Sequence, residues 1–386
     1  MTTRRSALPL ARMPDATGLV SWVHFGDLHM TTRAEQNYRD FRSLIDGVNE
    51  VLADSVSFGY LPGDNADHGE EAEYGLVREE LDRLSLPWFA MVGDHDVHLK
   101  SHGNFLRYMM PQAFYSFEVG ACRFFALDSF VSDHPREFDV SEVQLEWLAH
   151  ELKLASVARK HRIVLLHCYP SELGKSTEPL QKLLREHEVC LVDMGHTHYN
   201  EIANDGCTLY TATRSTGQIE EGPVGFSITN IDRGVVSWRF KALGRWPLVM
   251  ITFPADERLK THAVSSLQMG GTLRVHVKAW SDRPFVGGFA LLANSRVALA
   301  RGPQPTFWQT DMNVKDLAEG IYPLTVELTD EEGKTGRDEI RLAVNRTSTV
   351  EVERRPGLDR DNVVGAWSER GILGTQLGPN KNGRKW

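Results

Sequence analysis

The run LVSWVHFGDLH, residues 19–29, decides the reading of the fold. A short, mostly apolar and β-rich stretch stops at Gly26-Asp27, and the polar pair Asp27-x-His29 follows at once. The same syntax returns in SVSFGYLPGD (55–64), PWFAMVGDHD (87–96), HRIVLLH (161–167) and VCLVDMGHTH (189–198). Each is a hydrophobic strand pattern that ends on a polar, potentially metal-ligating residue. Amphipathic stretches lie between them. Phe41, Leu44, Ile45, Val48, Val51 and Leu52 recur at helical spacing, and a second such stretch runs from Tyr74 to Leu84. CRFFALDS (122–129) reads as a strand and SEVQLEWLAHEL (141–152) as a helix with Ser141 as its N-cap. Alternation of this kind predicts an α/β domain with a largely buried sheet. Asp27, Asp64, Asp94, His167 and His196 then fall just past strand C-termini, the edge where open α/β sheets bind ligands.

The pattern changes near residue 245. Leu273, Val275 and Val277 alternate with Arg274, His276 and Lys278; Leu324, Val326 and Leu328 and then Ile340, Leu342 and Val344 repeat the period of two. We expect four segments: a flexible lead-in over 1–17, a catalytic α/β domain over 18–245, an Ig-like β-sandwich over 246–346 and a tail over 347–386. The tail is rich in Gly, Asn, Arg and Lys, the composition of a disordered segment. Yet Trp367, Ile372, Leu373, Leu377 and Trp386 are costly to leave in water. The end Asn380–Trp386 is therefore expected to fold back as a lid or to clasp a neighbouring copy. A homo-oligomer through the sandwich or the tail is compatible with this.

The chain has 386 residues, a formal charge of −9 and 41% hydrophobic residues, an ordinary balance for a globular protein. An acidic chain lacks the basic footprint of a binder of long duplex nucleic acid. The four cysteines, Cys122, Cys168, Cys190 and Cys207, are scattered, which suits reduced thiols. Arg4 and Arg5 are followed by no apolar signal region, and no stretch is long and apolar enough to span a membrane. The expected location is cytoplasmic.

Five polar clusters follow one another: Asp27-x-His29, Gly63-Asp64-x-x-Asp67, Gly93-Asp94-His95-Asp96, His167 and Gly195-His196-x-His198. Any one of them is ordinary. Together they send carboxylates and imidazoles to one sheet edge, a crowd that needs cations to hold it and a donor set suited to Mn, Fe or Zn. In this order they resemble the signature of the calcineurin-like metallophosphoesterase superfamily, D-x-H, G-D-x-x-[DE], G-N-H-[DE], H and G-H-x-H, over about Val20 to Asn230. Within it the chain is most similar to the cyclic-nucleotide and glycerophosphodiester phosphodiesterase branch. The resemblance implies a four-layer sandwich, two packed β-sheets flanked by helices, with the β-sandwich appended. It implies two divalent or mixed-valence transition-metal ions. Asp27, His29 and His198 would hold the first, and Asp64 would bridge both. His167 and His196 would hold the second with Asp94. His95 would be the non-ligand histidine that contacts the phosphoryl group and protonates the leaving oxygen.

Two cations about 3.5–4 Å apart can clamp attacking and leaving oxygens and lower the pKa of a shared water, so the expected nucleophile is a metal-bridging hydroxide. The expected activity is a phosphodiesterase on small phosphate esters. A phosphomonoesterase, a nuclease, or a metal-binding interaction module with reduced catalysis would use the same residues. One departure matters. The superfamily carries Asn in the third block where this chain has Asp94, an acceptor-only group. A third carboxylate lowers the site's net positive charge, which favours monoanionic diesters over dianionic monoesters. Arg214, in the ATRSTGQ segment (212–218), is the candidate substrate-phosphate contact. His24 reads as packing or surface. His68, His98, His102 and His134 lie on loops near the edge. Asp96 could orient His95.

Overall fold

The computed structural model describes residues 18–130, 137–262, 271–344 and 359–374. The 1–17 lead-in, His134 and the Asn380–Trp386 end lie outside them. Through residue 242 the elements run β1 (Val20–His24), α1 (Gln36–Val51), β2 (Phe58–Leu61), α2 (Glu71–Leu81), β3 (Trp88–Ala90), α3 (Gly103–Tyr108), β4 (Tyr115–Val119), β5 (Cys122–Ala126), α4 (Glu142–Val157), β6 (His161–Leu165), α5 (Thr177–Glu186), β7 (Leu191–Met194), β8 (Glu201–Asn204), β9 (Leu209–Ala212), β10 (Gly225–Asp232) and β11 (Val235–Ala242). They build two sheets, ordered β11-β10-β1-β2-β3 and β4-β5-β6-β7-β9-β8. In the first, β1, β2 and β3 are parallel; in the second, β5, β6, β7 and β9 are parallel.

The sheets face each other across an aromatic layer. Trp22 and Phe58 of the first stack at 5.8 Å, and Trp22 meets Phe124 of the second edge-on at 5.3 Å. Phe89 stacks on Phe117 at 3.6 Å, which stacks on Phe124 at 4.8 Å. On the far side of the first sheet α1 buries Phe41, Leu44, Ile45 and Val48, the face its spacing predicts. On the far side of the second, α4 and α5 bury Leu148, Leu152, Leu180 and Leu184. Ser141 caps α4, its hydroxyl accepting the Gln144 N–H at 3.2 Å. The α/β part is thus a four-layer sandwich.

Beneath the strand ends one polar cluster crosses between the sheets. Asp193 of β7 accepts from Trp22 Nε1 at 2.9 Å and from Thr211 at 3.0 Å, and pairs with His24 Nδ1 at 2.9 Å. His24 is fully buried. Its packing role therefore includes a buried polar pair, through Nδ1, that locks β1 to β7 under the site.

Beyond residue 245 come β12 (Leu248–Phe253), β13 (Thr272–Trp280), β14 (Phe285–Leu292), β15 (Ser295–Ala298), β16 (Ala300–Arg301), β17 (Phe307–Asn313), β18 (Gly320–Asp330) and β19 (Thr335–Val344). They pair as β12-β13-β17-β16 and β15-β14-β18-β19, a β-sandwich closed on its own apolar cluster. The alternating residues, among them Val275, Val277, Leu324, Val326, Ile340 and Leu342, point into it. Lys278 and Trp280 reach out of β13 to the Ser55 carbonyl and hydroxyl, joining the sandwich to the α/β part. After the segment 345–358, residues 359–374 return to the α/β part, where Val364 N–H donates to Ile202 O at 2.8 Å beside edge strand β8. Trp367 and Ile372 are buried there, as their cost in water demands, and Leu373 is exposed. Among the described residues no helix is long and apolar enough to cross a membrane.

Candidate metal centre

The strand ends of both sheets converge on one place. Donor atoms of Asp27, His29, Asp64 and His198 all lie within 4.8 Å of one another, as do those of Asp94, His167 and His196. Asp64 faces both groups, with Oδ2 3.5 Å from His29 Nε2 and Oδ1 3.5 Å from His167 Nε2. Asp94 Oδ1 lies 3.2 Å from His167 Nε2 and 3.4 Å from His196 Nδ1. His198 Nε2 is 3.6 Å from Asp27 Oδ2.

The backbone is bent to make this possible. His29, Asp64, His196 and His198 all have positive φ, between 43° and 63°. Histidine and aspartate tolerate the left-handed region better than most residues, but four at one site mark imposed geometry. Two glycines let the turns close. A Cβ on Gly63 (φ 117°) would sit 2.3 Å from His167 Nδ1, and one on Gly195 would sit 2.2 Å from Asp27 Oδ1.

Surrounding hydrogen bonds set which ring nitrogen faces inward. His167 Nδ1 donates to the Pro62 carbonyl at 2.8 Å, leaving Nε2 toward the carboxylates. His29 Nδ1 pairs with Asp67 Oδ1 at 3.1 Å, which aims its Nε2 at Asp64. His95 Nδ1 is 2.8 Å from the Asp67 carbonyl and 3.2 Å from its carboxylate. Asp67 therefore orients both His29, a candidate ligand, and His95. Its place in the Gly63-Asp64-x-x-Asp67 block was visible in the sequence; its role was not. Asp96 does not orient His95. It is buried and accepts from the N–H groups of Gly93 and Ala66 and from the Tyr74 hydroxyl, holding the loop that carries Asp64.

The electrostatics are those of a site built for cations. Burial pushes Asp27 up to about 6, and burial followed by the neighbouring His29 pushes His198 down to about 3. Burial and Asp94 would raise Asp64, but His167 and His29 bring it to about 2. Burial would lower His95, but Asp67 and then Asp64 raise it to about 9. Burial would likewise lower His167 and His196, and the carboxylates raise both. Two details test whether ions fit. Asp27 Oδ1 is buried and accepts no hydrogen bond. His29 Nε2 and His198 Nε2 stand 3.0 Å apart, so a proton or a metal ion must lie between two lone-pair donors. With carboxylate oxygens and imidazole nitrogens converging there, the residues fit a pair of transition-metal ions.

A family model described as calcineurin-like phosphoesterase matches residues 21–200. That span therefore matches the calcineurin-like phosphoesterase family, in agreement with the resemblance carried by the five polar clusters. Among solved structures, the chain is similar to a dimetal phosphatase from Danio rerio at TM-score 0.47 and 14% identity, covering 68% of this chain and 96% of that one. A purple acid phosphatase from yellow lupin (Lupinus luteus) seeds matches at TM-score 0.47 and 13% identity, over 58% and 51% of the two chains. An archaeal phosphodiesterase matches at TM-score 0.35 and 13% identity, over 57% and 100%. No curated protein matches the chain.

The cavity beside the cluster measures about 260 Å³ and is lined by Asp64, Asp94, His95, His196, His198 and, less expectedly, Glu172, Glu201 and Arg360. Arg214 is absent from it, which corrects the sequence expectation. Its side chain is buried, stacked on Phe240 at 4.2 Å, and donates to the carbonyls of Gly371 at 2.6 Å and Glu221 at 3.2 Å. A guanidinium buried in this way clasps the returning C-terminal segment and does not face the cavity. Of the loop histidines, His98 packs against His95 with tilted rings 4.5 Å apart, His68 pairs with Glu73 and His102 with Asp128.

Proposed function

We propose that the protein hydrolyses phosphodiesters of small molecules with two transition-metal ions, Mn, Fe or Zn, held by Asp27, His29, Asp64, Asp94, His167, His196 and His198. The observation that carries this is two donor groups joined by Asp64 and flanked by His95. Bound there, the ions would lower the pKa of water toward neutrality and offset the charge of the phosphoryl group. The remaining work falls to the chain. Asp67 fixes the His95 ring through Nδ1, so Nε2 is the atom presented to substrate. The same carboxylate favours the protonated ring, so His95 can donate a hydrogen bond to a phosphoryl oxygen and a proton to the leaving oxygen.

Asp94 supports the preference for diesters. It adds a third carboxylate to Asp27 and Asp64 and offers no N–H to substrate. Less residual positive charge favours a monoanionic ester over a dianionic one. We assign a cytoplasmic setting and a small-molecule substrate on the same footing, from the sequence.

The test is hydrolysis of bis(p-nitrophenyl) phosphate against p-nitrophenyl phosphate, on protein stripped of metal and reloaded with Mn, Fe or Zn. Metal-dependent turnover that favours the diester, with Asp94→Asn shifting the ratio toward the monoester, is the expected result. A monoester preference would keep the metal site and overturn the argument from Asp94. Bound metal with no turnover of either ester, and no effect of His95→Ala, would make the site a metal-binding module.

A further inference from the structure

Arg360 reaches the metal cavity from outside the α/β part. It lies in a short 3-10 turn, Asp359–Asn362. The segment is anchored on both sides of that turn. Asp359 Oδ2 accepts the Ser171 N–H at 3.0 Å, and Val364 N–H donates to Ile202 O at 2.8 Å. Further on, Gly371 O accepts from Arg214 Nη2 at 2.6 Å and Asn200 Nδ2 at 2.9 Å. Buried Trp367 and Ile372 complete the anchor. The backbone that carries Arg360 is therefore fixed, and Glu172 fixes the side chain through an Nη1–Oε1 contact of 3.0 Å.

Among the described residues lining this cavity, Arg360 is the one guanidinium or ammonium group. The carboxylates around it are Asp64, Asp94, Glu172 and Glu201. A solvent-accessible pair such as Arg360–Glu172 contributes little to stability, so as an anchor it adds little to what the buried tryptophan and isoleucine supply. A guanidinium carries five N–H donors in a planar fork suited to a carboxylate or phosphate, and Glu172 meets it at Nη1. Its placement makes it the guanidinium that a wall with four carboxylates presents to an anionic ligand.

We propose that Arg360 is a specificity-determining residue that binds a second anionic group of the substrate. The substrates preferred are phosphoesters carrying a further phosphate or carboxylate a few bonds from the scissile phosphorus. This rests on the phosphodiesterase reading of the metal site.

The test uses full-length, metal-loaded protein and thymidine 5′-(p-nitrophenyl phosphate) with the 3′ position bare, phosphorylated or succinylated. Wild type should favour an appended anion by about tenfold or more in kcat/KM, mainly through KM. Preference for the phosphate or for the succinate tells which anion is recognised. Arg360→Ala should bring the esters within about twofold while leaving the bare one nearly unchanged, and Arg360→Lys should retain part of the preference. Equal losses on all three esters, or no wild-type preference, would overturn the proposal. Calorimetric binding of thymidine 3′,5′-bisphosphate against thymidine 5′-monophosphate separates the two readings. A tighter, Arg360-dependent bisphosphate complex without turnover of any ester would sink the phosphodiesterase reading and keep the anion site. Turnover of every ester without a binding difference would sink the anion site alone.

Discussion

Replacing Asp67 by Asn isolates the charge that Asp67 brings to two histidines. Its Oδ1 lies 3.1 Å from His29 Nδ1 and 3.2 Å from His95 Nδ1, so the amide oxygen of Asn can sit in the same place and accept from both. What disappears is the negative charge. A hydrogen bond to a charged partner is worth about 1.5–3 kcal/mol against about 0.5–1.5 for a neutral one, a difference of roughly 1 kcal/mol per ring. For His95 that is about 0.7 pH unit at 1.36 kcal/mol per unit. The sign follows from its raised pKa: the protonated ring is present at low pH and lost as pH rises through that value. The alkaline limb of kcat should therefore move to lower pH by roughly 0.7 unit in Asp67→Asn. The assay needs a diester with a poor, aliphatic leaving group, because p-nitrophenolate departs without a proton. For His29, weaker support of a ligand ring should lower metal affinity by about tenfold, read by competition with a chelator. An unmoved alkaline limb with unchanged metal affinity would refute the assignment of Asp67 as the residue that orients both rings.

Gly63→Ala places a Cβ 2.3 Å from His167 Nδ1 at a φ of 117°; it should lower Tm by many degrees and strip metal at chelator concentrations the wild type survives. Glu201 is raised to about 7 by burial, so relative to the unfolded chain its ionisation costs up to about 3 kcal/mol of stability, lost as pH rises from roughly 4.5 to 7. Glu201→Gln should therefore raise the unfolding midpoint at pH 8 more than at pH 5; an equal change at both would refute the assignment. Arg214→Lys cannot reproduce the fork that holds Gly371 and Glu221, and should cost about 2 kcal/mol of stability while turnover of bis(p-nitrophenyl) phosphate per bound metal stays within about twofold. A raised KM at unchanged Tm would restore Arg214 as a substrate contact.

The strand-end ligands were legible because the physics that places them is local. A buried strand reads as an apolar run, it stops where the chain must turn, and a glycine permits the turn; Gly63-Asp64 and Gly195-His196 carry all three signals in a few residues. The partners of the ligands were not legible, because they are tertiary. Nothing near Asp67 in sequence announces His29, 38 residues away. Arg214 misled for the same reason. It follows the last motif closely, but its side chain finds Gly371, 157 residues on, and turns from the cavity. The six-residue helix α3 and the hairpin β10–β11 were passed over. The first is too short to show a period; the second does alternate, with Phe226 and Ile228 in β10 and Val236, Trp238 and Phe240 in β11, but it lies beyond the five polar clusters and supplies none of their residues. Composition alone favoured a loose tail, whereas the apolar residues Trp367 and Ile372 pointed to the packing found in 359–374.

The sandwich and the cavity are joined through that same segment. Asp338, on sandwich strand β19, is buried, and its Oδ1 lies 3.0 Å from Arg370 Nη1 and 3.5 Å from Arg239 Nη1, while Oδ2 accepts the Ile251 N–H at 2.7 Å. One carboxylate thus balances a guanidinium of the first sheet and another of the C-terminal segment. Buried guanidinium groups are tolerable only when paired, so the segment's fit against the α/β part depends on a residue the sandwich supplies. Gly371, next to Arg370, receives Arg214 and Asn200, and from there the chain runs back along β8 to Asp359 and Arg360 at the rim. Each link is a hydrogen bond, an ion pair or a buried side chain with few alternative partners, which makes the connection stiff. The proposed metal pair needs none of it, since its candidate ligands all lie between residues 27 and 198. The position of Arg360 needs all of it. With Arg360 in its proposed role, the sandwich would act through substrate choice, by helping to set where the guanidinium-bearing wall of the cavity stands.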